Sequence, residues 1–303
     1  MTRPDVACIL TTYNRPRLVV DAIASVLEQD CDRWRLYVMD DGSDKATRSA
    51  IRTALPLTTI ISPLRDVANG YATTKGNLTW WQGPQRPMHH RRASIPYSRT
   101  INVALNHLLE DEQYITYLPD DDFFYPGSIR ARAEYLDAHP EAHVVYGRSR
   151  SLQYDASGFN TWKQNVGPQP GRACPIPTGH RVVRPGAGSL VYFENGERDP
   201  QTELDYVEEA HWEPGVLIYG EAGKTDHSQV MHRRCCLTHC RAWPQRADGT
   251  YEYWGESHDW PAGDIAFFSL LGQVHPFIGI DAWVTNKRFH AMSVGVCDAE
   301  QRE

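Results

Sequence analysis

YITYLPDDDFF, residues 114–124, is the stretch that decides both the fold and the predicted site. Its first five residues are apolar or β-branched, or aromatic, which predicts a strand. Asp120, Asp121 and Asp122 follow, so the strand delivers three carboxylates to its carboxyl end, where open α/β sheets bind ligands. Such carboxylates repel one another unless a cation lies among them, and Mg²⁺ or Mn²⁺ prefers these oxygen ligands. The alternative is a solvated acidic turn that caps the next helix.

The segments on either side of this stretch alternate between strand and helix patterns. Strands are predicted at residues 6–11, 34–39, 58–61 and 144–146, and helices at 16–29, 44–54, 98–109, 126–139 and 261–271, followed by an apolar segment at 274–284. This order predicts an α/β protein with a mostly parallel sheet, right-handed crossovers and flanking helices. The length of 303 residues suits a single domain.

Two further turns carry polar residues at predicted strand ends. The first, residues 11–15, contains Thr11, Tyr13 and Arg15, which suit contacts to a nucleotide. The second, residues 40–43, includes Asp41, whose carboxylate can accept hydrogen bonds from a base or a ribose. The alternatives are an ordinary βα turn and an Asx turn with a helix N-cap. Because both turns share the carboxyl edge of the sheet with Asp120, a common ligand site is the stronger interpretation.

Two long stretches lack clear periodicity. Residues 62–98 are predicted to form a functional loop, and within it residues 80–92 combine tryptophans with the run His89-His-Arg-Arg. We expect this segment to close over a bound diphosphate, the alternative being tryptophans that pack on the core. Residues 150–225, rich in Gly and Pro, are predicted to be an irregular insertion with some β-structure.

Composition narrows the class of protein. The net charge of −7 argues against a broadly basic nucleic-acid-binding surface. No apolar run approaches the roughly 18 residues of a membrane span, and no secretory signal pattern stands at the start, so a cytoplasmic location is expected. Seven cysteines do not form a disulfide framework. A zinc site is an alternative for the cluster of His232, Cys235, Cys236, His239 and Cys240, but no second cysteine knuckle stands elsewhere in the chain.

Together these motifs resemble those of the inverting family 2 glycosyltransferases, which have the Rossmann-like GT-A fold, and the resemblance is closest to the spore-coat polysaccharide type. It rests on seven segments: ILTTYNRP (9–16), LYVMDDGS (36–43), YITYLPDDDFFYPGSI (114–129), YLDAHPEAHVVY (135–146), DHSQVMHR (226–233), WGES (254–257) and GDIAFF (263–268). It implies a donor half at residues 1–125 and an acceptor half at residues 126–303.

On the donor side, the resemblance implies that Thr11 and Asp41 lie where the base binds, with Tyr13 and Arg15 beside them. Asp120 and Asp121 fall on the motif that holds the ribose and the metal, with Asp121 as the direct ligand. The resemblance further implies diphosphate contacts from Arg92 or Arg99, and metal contacts from Asp122 and His290.

On the acceptor side, Asp264 falls on the position of the proposed catalytic base. The alternative is that Asp264 caps the helix that follows it. Four further residues are expected near the acceptor: Asp226, His227, Glu256 and Asp259.

The implied activity is transfer of a sugar from a UDP- or TDP-type donor to a hydroxyl of a saccharide or small molecule, with Mn²⁺ or Mg²⁺. The metal and an arginine stabilise the charge on the leaving diphosphate, and one displacement inverts the anomeric configuration. The alternatives are a metal-dependent nucleotidyltransferase, which normally needs a Gly-rich loop after the first strand, and a non-catalytic sugar-nucleotide-binding module.

Overall fold

The computed structural model of the protein describes residues 4–55, 64–67, 70–84, 94–154, 162–165, 181–183, 191–193, 227–238, 245–254, 267–268, 271–272, 274–275 and 277–289. Six of the sequence-predicted site residues lie outside these ranges: Arg92, Asp226, Glu256, Asp259, Asp264 and His290.

The first half of the chain alternates between strands and helices. In order, it forms β1 (Val6–Thr12), α1 (Leu18–Leu27), β2 (Trp34–Asp40), α2 (Lys45–Ala54), β3 (Leu64–Val67), β4 (Gly70–Lys75), β5 (Leu78–Gln82), α3 (Ser94–Asn106), β6 (Tyr114–Pro119), β7 (Asp122–Phe124) and α4 (Ser128–Ala138). The predicted helices at 16–29, 44–54, 98–109 and 126–139 and the predicted strands at 6–11, 34–39 and 114–118 are thus present, with ends shifted by a few residues, whereas most of the predicted helix at 261–271 lies outside the described residues.

The second half contributes strands that join the same sheet. These are β8 (Val144–Tyr154), β9 (Trp162–Asn165), β10 (Arg181–Val183), β11 (Val191–Phe193), β12 (Val230–Arg233) and β13 (Phe277–Phe289). Short 3-10 helices at His227–Gln229 and Arg234–Thr238 flank β12. Strands β9, β10 and β11 lie within the stretch 150–225, where some β-structure was expected.

The described strands form one mixed sheet in the order β11-β10-β13-β8-β12-β6-β1-β2-β5-β4-β3, with β7 paired to β13 and β9 to β8. The centre, β6-β1-β2-β5, is parallel, as the alternation of strands and helices predicts. The flanks are largely antiparallel, because β12 inserts against β6 and the β3-β4-β5 segment folds back on itself.

Local sequence explains the central elements. Every residue of β1 is buried, and its nearly continuous apolar run is typical of a parallel strand covered on both faces. Helix α1 buries Val19, Ala22, Ile23 and Val26, which recur at the three- and four-residue spacing of one helical face. Helix α2 begins after Asp44, whose side chain accepts a hydrogen bond from the Thr47 backbone N–H at 2.8 Å.

Two apolar layers cover the sheet. Helices α1, α2 and α4 pack on one face with the side chains of Val6, Cys8 and Leu10. Helix α3 packs on the other face with Ala7 and Ile9, where Trp254 and Phe267 complete the layer. The alternation along β1 therefore fixes which helix lies on which side.

The prediction of a long loop over residues 62–98 was wrong for its described part. Strands β3, β4 and β5 lie there, and β5 pairs in parallel with β2. Trp80 and Trp81 are each only 3% exposed, so they belong to the core and not to a lid. The missed signal was the pair Gly76-Asn77, a two-residue turn between β4 and β5 with Gly76 at φ +56°. The predicted strand at 58–61 and residues 85–92 lie outside the described ranges.

Candidate functional site

The three predicted turns meet at the carboxyl edge of the parallel sheet. Thr12 of β1 pairs with Asp40 of β2, and Thr11 pairs with Pro119 of β6. The Asp120 backbone N–H donates to the Thr11 carbonyl at 3.1 Å, and the Asp41 N–H donates to the Thr12 carbonyl at 3.0 Å. Residues from three separate parts of the sequence therefore form one continuous edge.

Arg15 connects the first turn to the acidic turn. Its Nη1 donates to Asp120 Oδ1 at 2.7 Å and to Asp121 Oδ2 at 2.9 Å. Asp120 also accepts a hydrogen bond from the Thr12 hydroxyl at 2.7 Å. Burial raises the pKa of Asp120, and the positive charge of Arg15 opposes this effect. Burial lowers the pKa of Arg15, but the two carboxylates outweigh it, so that pKa is raised and the guanidinium stays charged.

Asp122 points to a different partner. It begins β7, is 1% exposed, and accepts a hydrogen bond from the Ser228 hydroxyl at 2.8 Å. Strand β7 pairs with β13 so that Asp122 lies opposite Lys287. The three adjacent aspartates thus divide between two environments: Asp120 and Asp121 accept from Arg15, whereas Asp122 accepts from Ser228.

The carboxylates at this edge differ in how well they suit the divalent metal that the sequence predicts. Within the residues that the structure describes, no group of three or more histidine, cysteine, aspartate or glutamate side chains is arranged to hold a metal ion. Mg²⁺ is usually held by one or two carboxylates together with substrate phosphates and water, so such a group is not required. The Asp121 side chain retains 19% exposure and has hard oxygen donors, so it fits this role. Asp122, being buried against Ser228, fits it less well.

Side-chain hydrogen bonds hold the turn after β2. Asp40 is buried and accepts hydrogen bonds from the Ser43 backbone N–H at 2.8 Å and from Arg48 Nε at 3.2 Å. Burial raises the pKa of Asp40 despite these contacts. Asn14 has a φ of +53°, held by hydrogen bonds to Ser43 Oγ and from the backbone N–H of Asp44. The Asx-turn interpretation is therefore correct for Asp40, while the predicted base-binding residue Asp41 is 8% exposed beside it.

Sequence reasoning missed Arg48 and Gly83. Arg48 donates to the Gly83 carbonyl at 3.1 Å, and the Gly83 N–H donates to the Asp40 carbonyl at 2.7 Å. A Cβ at Gly83 would lie 2.9 Å from the Trp81 ring and 3.0 Å from the Asp40 carbonyl oxygen, so only glycine fits this close approach. The glycine and the arginine eight residues after Asp40 were visible in the sequence, but their contact was not.

Of the other predicted nucleotide residues, Thr11 and Tyr13 belong to the first turn of this edge. Thr11 is 5% exposed, whereas Tyr13 is 36% exposed and presents its ring to solvent. Arg99 is half-buried on α3, two residues after Tyr97.

On the face covered by α3, His227 joins a polar and aromatic cluster. Tyr97 Oη and His227 Nε2 are 2.7 Å apart, and both rings pack near Trp254. Asn102 fixes Trp254 through hydrogen bonds to both its backbone N–H and its carbonyl. Tyr97 and Asn102 were not singled out from the sequence, since their partners lie 130 and about 150 positions away.

The described members of the histidine and cysteine cluster have protein partners of their own. His232 is buried between the Tyr117 hydroxyl, 2.9 Å from Nε2, and the Arg233 carbonyl, 2.9 Å from Nδ1. Burial lowers the pKa of His232 to about 4, so the ring is neutral at pH 7. Cys236 is buried in the core and Cys235 is exposed. His232 and Cys236 are thus structural in this arrangement; His239 and Cys240 lie outside the described residues.

Comparison with known sequences gives the following matches. Residues 7–77 match the sequence model of glycosyl transferase family 2. The chain is 24% identical over 277 residues to Protein CgeD of Bacillus subtilis, which covers 91% of this chain and 48% of that protein. It is 23% identical over 177 residues to an uncharacterized glycosyltransferase of Rickettsia conorii, covering 56% of this chain and 24% of that protein. The chain therefore spans less than half the length of these relatives.

Comparison with solved structures gives the fold. TarS of S. aureus, residues 1–349, has a TM-score of 0.51 at 14% identity over 94% of this chain and 60% of that one. The same segment in complex with UDP-GlcNAc has a TM-score of 0.52 at 12% identity, covering 94% of this chain and 59% of that one. Across the part of the chain that the structure describes, no helix is long and apolar enough to cross a bilayer. The protein therefore has the α/β fold of the GT-A glycosyltransferases, and its residues 7–77 carry the sequence pattern of glycosyl transferase family 2.

Proposed function

We propose that the protein is an inverting glycosyltransferase that takes a sugar from a UDP- or TDP-type nucleoside diphosphate and transfers it to a hydroxyl of a saccharide or small molecule. The observation that carries the proposal is the shared carboxyl edge, where Arg15 joins Asp120 to Asp121 between β1 and β6. The family 2 match over residues 7–77 covers two of the three turns that build this edge.

The donor half is residues 1–125. Thr11 and Asp41 flank the base, with the exposed ring of Tyr13 beside it. Asp120, fixed by the Thr12 hydroxyl, faces the ribose. Arg15 and Arg99, with Arg92, provide positive charge for the diphosphate, which gains negative charge as the bond to the sugar breaks.

Asp121 is the residue that holds a divalent cation, with Asp122 and His290 as the further proposed contacts. Mn²⁺ or Mg²⁺ supplies Lewis-acid stabilisation of the leaving diphosphate when bound. The residues of the chain orient the donor against the edge, and the positive charge of Arg15 opposes the effect of burial on the pKa of Asp120.

The acceptor half is residues 126–303. Asp264 takes the proton of the acceptor hydroxyl as the oxygen attacks the anomeric carbon from the side opposite the diphosphate. His227, which pairs with Tyr97, is a proposed acceptor contact together with Asp226, Glu256 and Asp259.

A ligand panel tests the proposed function. UDP, TDP and their sugars are added to the protein with Mn²⁺ and, separately, with EDTA, and the melting temperature is measured. A nucleotide present at a hundred times its Kd stabilises the fold by about 2.7 kcal/mol, so the matching nucleotide raises the melting temperature. The rise is larger with Mn²⁺, because the diphosphate otherwise faces unscreened carboxylates. ADP serves as the mismatched control; equal shifts with every nucleotide, or none, would overturn the proposal.

The role of Asp264 has its own test. Asp264→Asn lowers turnover by about 10²- to 10⁴-fold, the usual effect of losing a general base. Turnover is followed as release of the nucleoside diphosphate, and donor affinity is expected to stay close to that of the wild type because Asp264 acts on the acceptor. Glu256→Gln is the matched control. If Asp264→Asn turns over normally and Glu256→Gln does not, the base has been assigned to the wrong carboxylate.

A further inference from the structure

The Arg15 bridge consists of the Arg15 guanidinium and the carboxylates of Asp120 and Asp121, which both accept a hydrogen bond from Arg15 Nη1. Nη1 donates to Asp120 at 2.7 Å and to Asp121 at 2.9 Å. Asp120 has a second donor in the Thr12 hydroxyl, and its side chain is only 4% exposed. Asp121 is 19% exposed. The bond from Arg15 to Asp121 is therefore the more accessible of the two.

The backbone under Arg15 is fixed while its side chain reaches solvent. The Arg15 carbonyl accepts a hydrogen bond from the Val19 N–H at 3.1 Å in the first turn of α1. Asn14, the preceding residue, is held by contacts with Ser43 and Asp44. The Arg15 side chain keeps 22% exposure, so a change of partner needs rotation of the side chain and no rearrangement of the turn.

A divalent cation and the guanidinium cannot both hold Asp121 without cost. Both would bind the same carboxylate oxygens of Asp121. The two positive charges would also lie a few ångströms apart in a partly buried site and repel each other. A diphosphate changes this balance, since it supplies negative charge and oxygens that the planar guanidinium binds with two donors.

We propose that Arg15 is an exchangeable counter-ion: it partly offsets the charges of Asp120 and Asp121 in the free protein and leaves Asp121 for the donor diphosphate when a divalent cation binds. The inference rests on the proposed function and adds to it a coupling between two ligands. When the cation binds Asp121, Arg15 becomes available to the diphosphate. When the diphosphate binds Arg15, Asp121 becomes available to the cation. By linkage, each ligand strengthens the other by the same factor.

Mn²⁺ binding in the absence of nucleotide tests the exchange, with the EPR signal of free Mn²⁺ as the readout. Arg15→Gln removes the competing charge while keeping a polar side chain of similar length. It is expected to bind Mn²⁺ alone about 10-fold more tightly than the wild type, which corresponds to about 1.4 kcal/mol. The factor by which UDP improves Mn²⁺ affinity falls by a similar amount. Arg15→Lys, which keeps the charge, stays close to the wild type in both measurements.

Arg33 supplies the matched control. It also bridges two aspartates, Asp5 and Asp137, but at the amino edge of the sheet. Arg33→Gln removes one positive charge, as Arg15→Gln does, and is expected to leave Mn²⁺ affinity unchanged. Circular dichroism and thermal unfolding establish that each variant is folded, and Arg15→Ala is the second test variant if Arg15→Gln is not.

The outcomes separate the exchange from the proposed function. If the Mn²⁺ affinity of folded Arg15→Gln or Arg15→Ala equals that of the wild type, or Arg33→Gln changes it as much, the exchange is overturned. UDP binding by the wild type with Mn²⁺ would still support the glycosyltransferase in that case. If no variant binds Mn²⁺ and the wild type does not bind UDP, both the exchange and the metal-dependent function are overturned.

Discussion

Two arginines bridge two aspartates each, at opposite ends of the same strands. At the amino edge, Arg33 uses Nε, Nη1 and Nη2 to make paired hydrogen bonds with both Asp5 and Asp137. At the carboxyl edge, Arg15 serves Asp120 and Asp121 through Nη1. The residue types are the same, but Arg33 makes two hydrogen bonds to each of its aspartates, whereas Arg15 Nη1 makes one to each of its own.

The amino edge is a structural junction. Asp137 also accepts a hydrogen bond from the Tyr114 hydroxyl at 2.6 Å, and the Arg33 guanidinium lies 5.7 Å from the centre of the Tyr114 ring. These contacts tie the starts of β1, β2 and β6 to the end of α4. The comparison teaches that a bridge of arginine and aspartates is not by itself a site. Its place at the carboxyl edge of the sheet, where ligands bind in open α/β folds, is what distinguishes the Arg15 bridge.

The largest expected difference between the two edges is in turnover. Asp121→Asn removes the accessible carboxylate and is expected to lower kcat/KM for the donor by about 10²- to 10³-fold, the usual effect of losing one charge stabiliser of the transition state. Asp137→Asn, the matched change at the amino edge, is expected to leave kcat/KM unchanged. Both are measured by release of the nucleoside diphosphate at saturating Mn²⁺. A comparable loss in Asp137→Asn would erase the functional distinction between the edges.

A smaller effect is expected on stability, and here the change at the amino edge matters. Arg33→Ala is expected to lower the free energy of unfolding by about 1 to 2 kcal/mol, since it removes charged hydrogen bonds that are partly exposed to solvent. Burial raises the pKa of Asp137, but hydrogen bonds from Arg33 and Tyr114 outweigh it and hold that pKa below its usual range. The unfolded chain has a pKa of about 3.9 for this group. The stabilisation is therefore complete above that pH and is lost as the pH falls through the lower folded pKa.

Urea unfolding of the wild type and Arg33→Ala at neutral pH and at about pH 3 measures this loss. If Asp137 is the partner through which Arg33 stabilises the fold, the difference in free energy of unfolding between the two proteins is smaller at about pH 3 than at neutral pH. If that difference is the same at both pH values, the stability would instead be assigned to packing of the Arg33 stem against Tyr114.

The sequence predicts the central sheet because apolar runs and helical spacing are local signals. Strands β1, β2 and β6 and helices α1, α2 and α4 follow from residues close together in the chain. The hairpin of β4 and β5 also had a local signal, Gly76-Asn77, but the surrounding Gly, Pro, Trp and Arg residues favoured a loop. The burial of Trp80 and Trp81 depended on pairing with β2, which lies about 40 residues earlier.

The sequence predicts which residues lie at the common edge of the sheet, but it does not predict which of their side chains contact one another. That Asp41 and Asp120 lie at one end of the sheet follows from parallel pairing. The bond from Arg15 to Asp121 spans 106 positions, and no periodicity encodes it. Three adjacent aspartates look equivalent in sequence, yet Asp122 begins a strand, where alternation turns its side chain toward Ser228.

The position of β12 has a consequence for synthesis of the protein. Strands β1, β2, β5 and β6 can pair once residue 119 has emerged, but the other edge of β6 is completed by β12, at residues 230–233. At about 5 to 20 residues per second, the 114 residues from Pro119 to Arg233 take about 6 to 23 s to translate. During that interval β8 has no route into the sheet, because β12 lies between it and β6. The nascent chain therefore presents an open strand edge on the ribosome, and this edge is the point at which misfolding and chaperone binding compete with completion of the sheet.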